Sequence, residues 1–440
     1  MPTNAKSLLQ HSAFTHFTSK KLALYVSSAS LLAACSSQPP MPQQPTQPLP
    51  PPVIVTPPPV VKPTPQLPTS YPTFNSWKSD FIQRASAQGY NRSDLERLLA
   101  SASYNEQVVR SDKNQAEFAK MPWEYIDGAV SSSRVSGGQR GYADQSAVLL
   151  ANENRYGVPA SIVTAIWGME SSYGGFTGNS SLTSSLATLA YDGRRQAFAE
   201  QQLLALLKLV ERGDIDWSEL KGSWAGGMGH TQFIPQTWLE QGVDGNGDGH
   251  KNPWNRADAL SSTASYLASA GWQRGLPTFY EARLPNGFDY RNVSSKKTLG
   301  EWQSMGLQLI NVVGSAPGNT PVELWLPAGK EGPALLLTQN FDAIKVYNNS
   351  ANYALGVSLL ARAIVNQPQL QRDFPRYEKP LSTYQVTQLQ QRLTSMGYDT
   401  KGTDGVIGTN TKLAFQRWQA DNGQVPDGFI TQRSAASLVQ

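Results

Sequence analysis

From Gln38 to Pro72 the chain reads QPPMPQQPTQPLPPPVIVTPPPVVKPTPQLPTSYP, and no other stretch limits the fold so sharply. Proline has a fixed φ and no backbone N–H, so a run this dense supplies neither a helix interior nor a central strand. It reads as an extended polyproline II tether, residues 35–72. Folding is therefore expected to begin near Trp77. With 440 residues there is room beyond the tether for more than one domain, since single domains usually run to about 100–200 residues.

Ahead of the tether, Lys20 and Lys21 precede LALYVSSASLL, an apolar run too short for a stable membrane span. Residues 1–34 read as an export signal. It ends in Leu32-Ala33-Ala34-Cys35, and Cys35 is the only cysteine, so the body has neither a disulfide nor a thiolate metal site. The stretch resembles the lipobox of bacterial lipoproteins, in which the cysteine is acylated; a plain cleavable signal with a chance cysteine is the alternative. Ser36 in place of an Asp implies, within that resemblance, transport to the outer membrane. The net charge of +4 falls to +1 once Lys6, Lys20 and Lys21 are removed with the signal, and no basic stripe points to nucleic acid.

The body reads as mainly α. Helical spacing recurs in the stretch from Phe81 to Ala102, with Asp94 near a helix start, and at Tyr142–Tyr156, Pro159–Tyr173, Leu186–Arg212, Ala257–Ala270 and Ala351–Val365. Val322–Leu326 and Ala334–Leu337 read as strands of a minor sheet. Within PASIVTAIWGMESSYG, Pro159 suits a helix start and Gly174 the left-handed position past its end. Val163, Trp167 and Glu170 share one face, which sets a carboxylate on an apolar stripe. Desolvation and the helix C-terminus both disfavour the anion there, so Glu170 should hold its proton towards neutral pH, as a glycosidic general acid must. A helical Glu more commonly reaches solvent or pairs with Arg.

Glu170-Ser171-Ser172-Tyr173-Gly174 is followed by GSWAGGMGHTQFIP from Gly222, and by LATLAYDGRR, SYLASAGW and Tyr347-Asn348-Asn349-Ser350-Ala351-Asn352-Tyr353. Together these blocks resemble the B family of lytic murein transglycosylases, with a lysozyme-like α+β catalytic core over residues 73–372. The resemblance implies Glu170 as the single acid and base, Ser223 and Gln232 as contacts to the sugar or its N-acetyl group, and Tyr266, Tyr347, Asn348 and Tyr353 as cleft residues. Read from the residues alone, Ser223 is equally the cap of a tight glycine-rich turn. Trp224 and His230-Thr231 depart from the usual family pattern. No second acid matches a family motif, which a retaining or inverting hydrolase would need.

Asp244-Gly245-Asn246-Gly247-Asp248-Gly249-His250 has oxygen ligands at alternating positions and glycine at the sixth, the pattern of an EF-hand-like Ca2+ loop. The twelfth position is Asn255 rather than Glu, and the family resemblance implies Asp258 as the later ligand. The expected set is Asp244, Asn246, Asp248, the carbonyl of His250, and Asp258, holding a structural ion; a metal-free Asx-Gly turn is the alternative. After the proline-punctuated stretch Asp373–Lys379, residues 380–440 resemble peptidoglycan-binding domain 1, a small three-helix module. The implied reaction is cleavage of the MurNAc–GlcNAc bond without water, leaving 1,6-anhydro ends. The alternatives are a hydrolytic muramidase or a non-catalytic wall-binding scaffold. The partners implied are peptidoglycan strands, a membrane through the lipid anchor, and cell-wall synthesis or remodelling proteins, with no organic cofactor.

Overall fold

The computed structural model describes residues 70–114 and 121–439; the signal, Cys35 and nearly all of the proline tether lie outside the described residues. Sixteen α-helices and seven short strands make up this part, so the mainly α expectation holds. The first helix, Phe74–Ala87, starts at Thr73, whose Oγ1 accepts from Ser76 N at 3.0 Å. Its Trp77 and Phe81 pack with Leu95 and Leu98 of Arg92–Leu99 onto the helices Leu182–Asp192 and Gln196–Glu211. Arg84 locks this layer: its Nη1 and Nη2 each donate at 2.8 Å to the buried Glu200.

A second core surrounds the acid helix, Ala160–Ser171, and the tyrosine helix, Ala351–Ile364. Both are almost wholly buried, with Val163, Ile166, Ala354, Leu355 and Val357 sealed from solvent, so their positions are set by packing on several sides at once. Beside them lies an antiparallel sheet ordered Lys296–Thr298, Pro321–Trp325, Ala334–Leu337, Phe279–Arg283, Gln308–Ile310. The strands read from Val322 and Ala334 are its two central neighbours, in the register Leu324 opposite Leu336.

Two boundaries differ from the sequence reading. The helix expected at Tyr142–Tyr156 is two, Ser132–Asp144 and Ser146–Tyr156. The first of these is masked in the sequence by Gly137, Gly138 and Gly141, which lower helix propensity. Tertiary contact requires them, because a Cβ on Gly138 would sit 2.6 Å from both Ile364 and the Tyr173 hydroxyl. Likewise Leu186–Arg212 divides at Gly193 into Leu182–Asp192 and Gln196–Glu211.

At the C-terminus, helices Thr383–Ser395 and Thr409–Asp421 enclose Leu389, Phe415, Trp418 and Ile430, and the third segment closes as turns in which Ala435 N bonds Thr431 O at 3.0 Å. This module is docked on the body rather than free of it. Phe429 packs with Met121, Trp123 and Ala328, Lys330 N donates to Asp427 at 2.9 Å, and Arg433 pairs with Glu331 and Glu378.

Candidate active site

Glu170 stands one residue before the end of the acid helix. Pro159 is the residue just outside the helix start, and Ala160 N is capped by Glu153 Oε2 at 2.9 Å. At the other end three successive residues, Ser172, Tyr173 and Gly174, have φ of 51°, 63° and 83°. Left-handed backbone is strained for the first two, so surrounding contacts must hold it. Ser171 Oγ donates to His230 O at 2.6 Å and accepts from Gly174 N at 2.9 Å. Tyr173 folds back over Gly168, where a Cβ would meet its ring at 2.4 Å, and its hydroxyl donates to Arg134 O at 2.7 Å.

Glu170 is half-buried as a residue, its carboxyl is walled by protein, and desolvation pushes its pKa up to about 7. The opposing influence is one hydrogen bond, donated by the buried Tyr353 hydroxyl to Oε1 at 2.6 Å. Burial and the nearby Glu170 push the Tyr353 phenol far above the ordinary tyrosine range, so it remains a donor. No basic side chain among the described residues pairs with Glu170. The group can therefore cycle between acid and carboxylate near neutral pH.

The glycine-rich segment is held against the acid helix by a two-stranded ribbon, Ser180–Ser181 with Lys221–Gly222. Ser223 Oγ accepts from Gly227 N at 2.8 Å, so its hydroxyl caps the turn while its proton stays free to donate. Gln232, at φ 53°, spends its amide nitrogen on Gly229 O at 2.8 Å and Thr177 O at 3.1 Å, leaving Oε1 turned towards Gly227. His230 is the unusual residue here. Its Nδ1 accepts from Trp167 Nε1 at 3.2 Å, and burial, with Arg256 nearby, lowers its pKa to about 4. It is a neutral brace, not a second acid.

Tyr347 donates its hydroxyl to Thr231 O and stacks edge-on with Phe233 and Tyr266, at centroid separations of 5.1 and 5.8 Å. Asn348 lies exposed at the end of the helix Gln339–Tyr347. Phe233 and Tyr125 are site residues that the sequence reading did not single out. Tyr125 is close enough to Glu170 to feel its charge, and with Ser350, Asn352, Lys412 and Phe429 it lines a cavity of about 580 Å³ against the C-terminal module. Phe233 was visible inside the glycine-rich motif, whereas nothing local in the helix Pro122–Ala129 marks Tyr125.

The loop from Asp244 is folded on itself. Asp244 accepts from Gly247 N at 2.6 Å and Gly249 N at 2.9 Å, and Gly249, at φ 89°, makes the sharp turn expected of the sixth position. Asn246 Nδ2 donates to Asp248 at 2.7 Å, Asp248 accepts from His250 N at 2.8 Å, and His250 itself is exposed. Asp258 is fully buried in the first turn of the helix Arg256–Ser269, accepting from Gly245, Asn246 and Asn252 N–H groups. Asn255 caps that helix, which explains its place where a ligand would otherwise stand. Among the described residues no three acidic, His or Cys side chains converge as a metal cluster. The all-oxygen donor set, and a buried Asp258 whose pKa burial raises, nevertheless fit a hard cation.

Among the described residues no helix is long and apolar enough to cross a membrane. Residues 73–362 match the family described as Transglycosylase SLT domain, and residues 382–438 match the peptidoglycan binding domain. SltB3 from Pseudomonas aeruginosa, solved in complex with NAG-NAM-pentapeptide and with NAG-anhNAM-pentapeptide, is 42% identical with a TM-score of 0.80, over 84% of this chain and all of that one. Membrane-bound lytic murein transglycosylase B of Escherichia coli is 29% identical over 63% of this chain and 79% of its own. Escherichia coli Slt35, solved in complex with calcium, is 28% identical with a TM-score of 0.57, over 66% of this chain and 92% of that one. The match over residues 73–362, together with a relative this similar along its whole length, means that the chain belongs to the SLT transglycosylase family.

Proposed function

We infer that the protein is a lytic transglycosylase that cleaves the β-1,4 bond between N-acetylmuramic acid and N-acetylglucosamine in peptidoglycan, with Glu170 as acid and then base. The observation that carries this role is a desolvated carboxyl, pKa about 7, held by one phenol and, among the described residues, no cation. Protonated Glu170 gives its proton to the glycosidic oxygen as the bond to the muramoyl C1 breaks. The substrate's N-acetyl oxygen stabilises the cationic C1. The Glu170 carboxylate then takes the proton of the muramoyl 6-hydroxyl while O6 attacks C1, closing the 1,6-anhydro ring and restoring the acid. No water is consumed.

Tyr353 positions the Glu170 carboxyl, Ser223 and Gln232 supply polar groups suited to the N-acetyl amide, and Tyr266, Tyr347 and Asn348 border the sugar path. Asp244, Asn246, Asp248, the His250 carbonyl and Asp258 hold a structural Ca2+ away from the chemistry. The signal, an acylated Cys35 and the tether place the enzyme in the periplasm, anchored to the inner leaflet of the outer membrane. The C-terminal module adds wall affinity by raising local substrate concentration. Cell-wall synthesis or remodelling proteins are its expected partners. Mass spectrometry of muropeptides released from purified sacculi tests the reaction. Products ending in 1,6-anhydromuramic acid are expected, reducing ends would mean a hydrolase, and binding without release would mean a scaffold.

A further inference from the structure

Where the C-terminal module meets the five-stranded sheet, a cavity of about 730 Å³ opens, within the range of about 300–1,000 Å³ usual for ligand sites. The loop after the strand Phe279–Arg283 forms one side with Phe288 and Tyr290, and the module's own loop forms the other with Val425 and Pro426. Gln416 pins the two sides together, its Nε2 donating to Tyr290 O at 3.2 Å and to Pro426 O at 3.0 Å. None of the site residues named above lines this cavity.

Its charged lining is Arg291, Lys330, Arg372 and a single acid, Asp289. Arg291 and Asp289 satisfy each other through bonds of 2.7–3.1 Å. Lys330 and Arg372 are exposed to solvent and, among the described residues, pair with no acid. The Arg372 guanidinium is nevertheless fixed. Its Nε donates to Glu331 O at 3.1 Å and its Nη2 to Lys330 O at 3.2 Å, which leaves Nη1 without a protein acceptor among the described residues. One short loop thus gathers both cations at one cavity, and Lys330 N ties that loop to Asp427 of the module at 2.9 Å. The neighbouring acids are committed elsewhere. Asp427 also accepts from Gln419 Nε2 and Phe429 N, Glu331 pairs with Arg433, and Glu281 accepts from the backbone N–H groups of Gln371 and Arg372. Two like charges brought together without a counter-charge repel, and an anionic ligand relieves that repulsion.

We propose that this seam binds the peptide stem of peptidoglycan, with Arg372 Nη1 and Lys330 Nζ donating to its carboxylates. The inference rests on the wall affinity of the C-terminal module given under the proposed function, and adds where, and through which part of the polymer, that affinity acts. Glycan that bears stems is built of uncharged hexosamine rings, whereas the stems carry several free carboxylates. Two unpaired cations therefore select the peptide over the sugar. Apolar side chains of the stem lie on Phe288, Val425 and Pro426. Because the body brings the cations and the module the facing loop, neither domain alone forms the complete site.

Calorimetric titration of the whole chain with the free stem pentapeptide tests the assignment, and saturable binding is expected. Lys330→Gln should weaken it about tenfold, the scale of one charge-assisted hydrogen bond, with the melting temperature unchanged because the ammonium touches no protein acceptor. Arg372→Gln should weaken it at least as much. Lys401→Gln removes a charge on the module outside the cavity and should leave the affinity at the parental value. No saturable binding, equal affinity in the parent and Lys330→Gln, or equal losses from Lys330→Gln and Lys401→Gln would each overturn the proposal. Pelleting with purified sacculi, with Glu170→Gln in every protein so that the sacculi stay intact, separates this proposal from the reading beneath it. Retention that falls with Lys330→Gln is expected. Retention equal with and without Lys330→Gln would overturn the seam and keep the module's wall affinity, whereas no retention of either protein would overturn both.

Discussion

Glu170 and Asp258 are both carboxyls that burial pushes towards the neutral form, and they are held in opposite ways. Asp258 accepts from three backbone N–H groups, all fixed by one loop. Glu170 accepts from one phenol and is half-buried as a residue. A third buried acid, Glu200, is neutralised by the two-pronged Arg84. Burial alone therefore does not make an acid catalyst. What distinguishes Glu170 is how little holds its proton equilibrium to either side.

The sharpest way to break this contrast is to exchange each group for a neutral one. Glu170→Gln keeps the shape and removes the transferable proton, so turnover should fall by about 10³-fold or more while sacculus binding persists. Release of anhydro-muropeptides is the readout. Residual turnover within tenfold of the parent would assign the proton to another group. Asp258→Ala should act on stability instead. It strands three part-buried N–H groups, at a cost of about 1–3 kcal/mol in denaturant unfolding, and abolishes any rise of melting temperature with Ca2+. A pH–rate profile for the folded fraction that matches the parent's would keep the two roles apart; an altered profile would merge them.

The same contrast shows what could be read from residues alone. Glu170 was legible because an apolar stripe and a glycine stop are local features, and the turns of the loop from Asp244 because Asp and Asn alternate with glycine there. The donors that define the two acids were less so. Tyr353 meets Glu170 from 183 residues away, and only the family resemblance placed it in the cleft. The three N–H groups around Asp258 are backbone atoms with no sequence signature. The helix Ser132–Asp144 stayed hidden for a related reason: its glycines answer to Tyr173 and Ile364, not to their neighbours in sequence.

Tyr353→Phe tests the same contrast by removing the phenol that, among the described residues, alone donates to the Glu170 carboxyl. Turnover should drop about tenfold, the scale of one charge-assisted hydrogen bond. Because the Tyr353 bond favours the carboxylate, its loss should also move the alkaline limb of the pH–rate profile upward from about 7. A limb that moved down would mean that the phenol stabilises the protonated form instead.

The smallest effect concerns stability, and its sign follows from linkage. Glu170 titrates near 7 when folded, against about 4.5 when exposed in the unfolded chain. Below pH 4.5 both states carry the proton and the group is neutral to folding. As pH rises from 4.5 to 7, the unfolded chain releases its proton first, so the fold progressively loses stability; above 7 the loss is complete. After allowance for the partial exposure of the residue, the total is about 1–3 kcal/mol. Gln at position 170 carries no such penalty. Glu170→Gln should therefore match the parent's melting temperature at pH 4.5 and exceed it by a few degrees at about pH 8. The Asp258→Ala variant should fall below the parent at both pH values, because stranded backbone donors do not titrate. A constant offset for Glu170→Gln across the range would mean that solvent reaches the carboxyl freely, and the contrast between the two acids would then rest on catalysis alone.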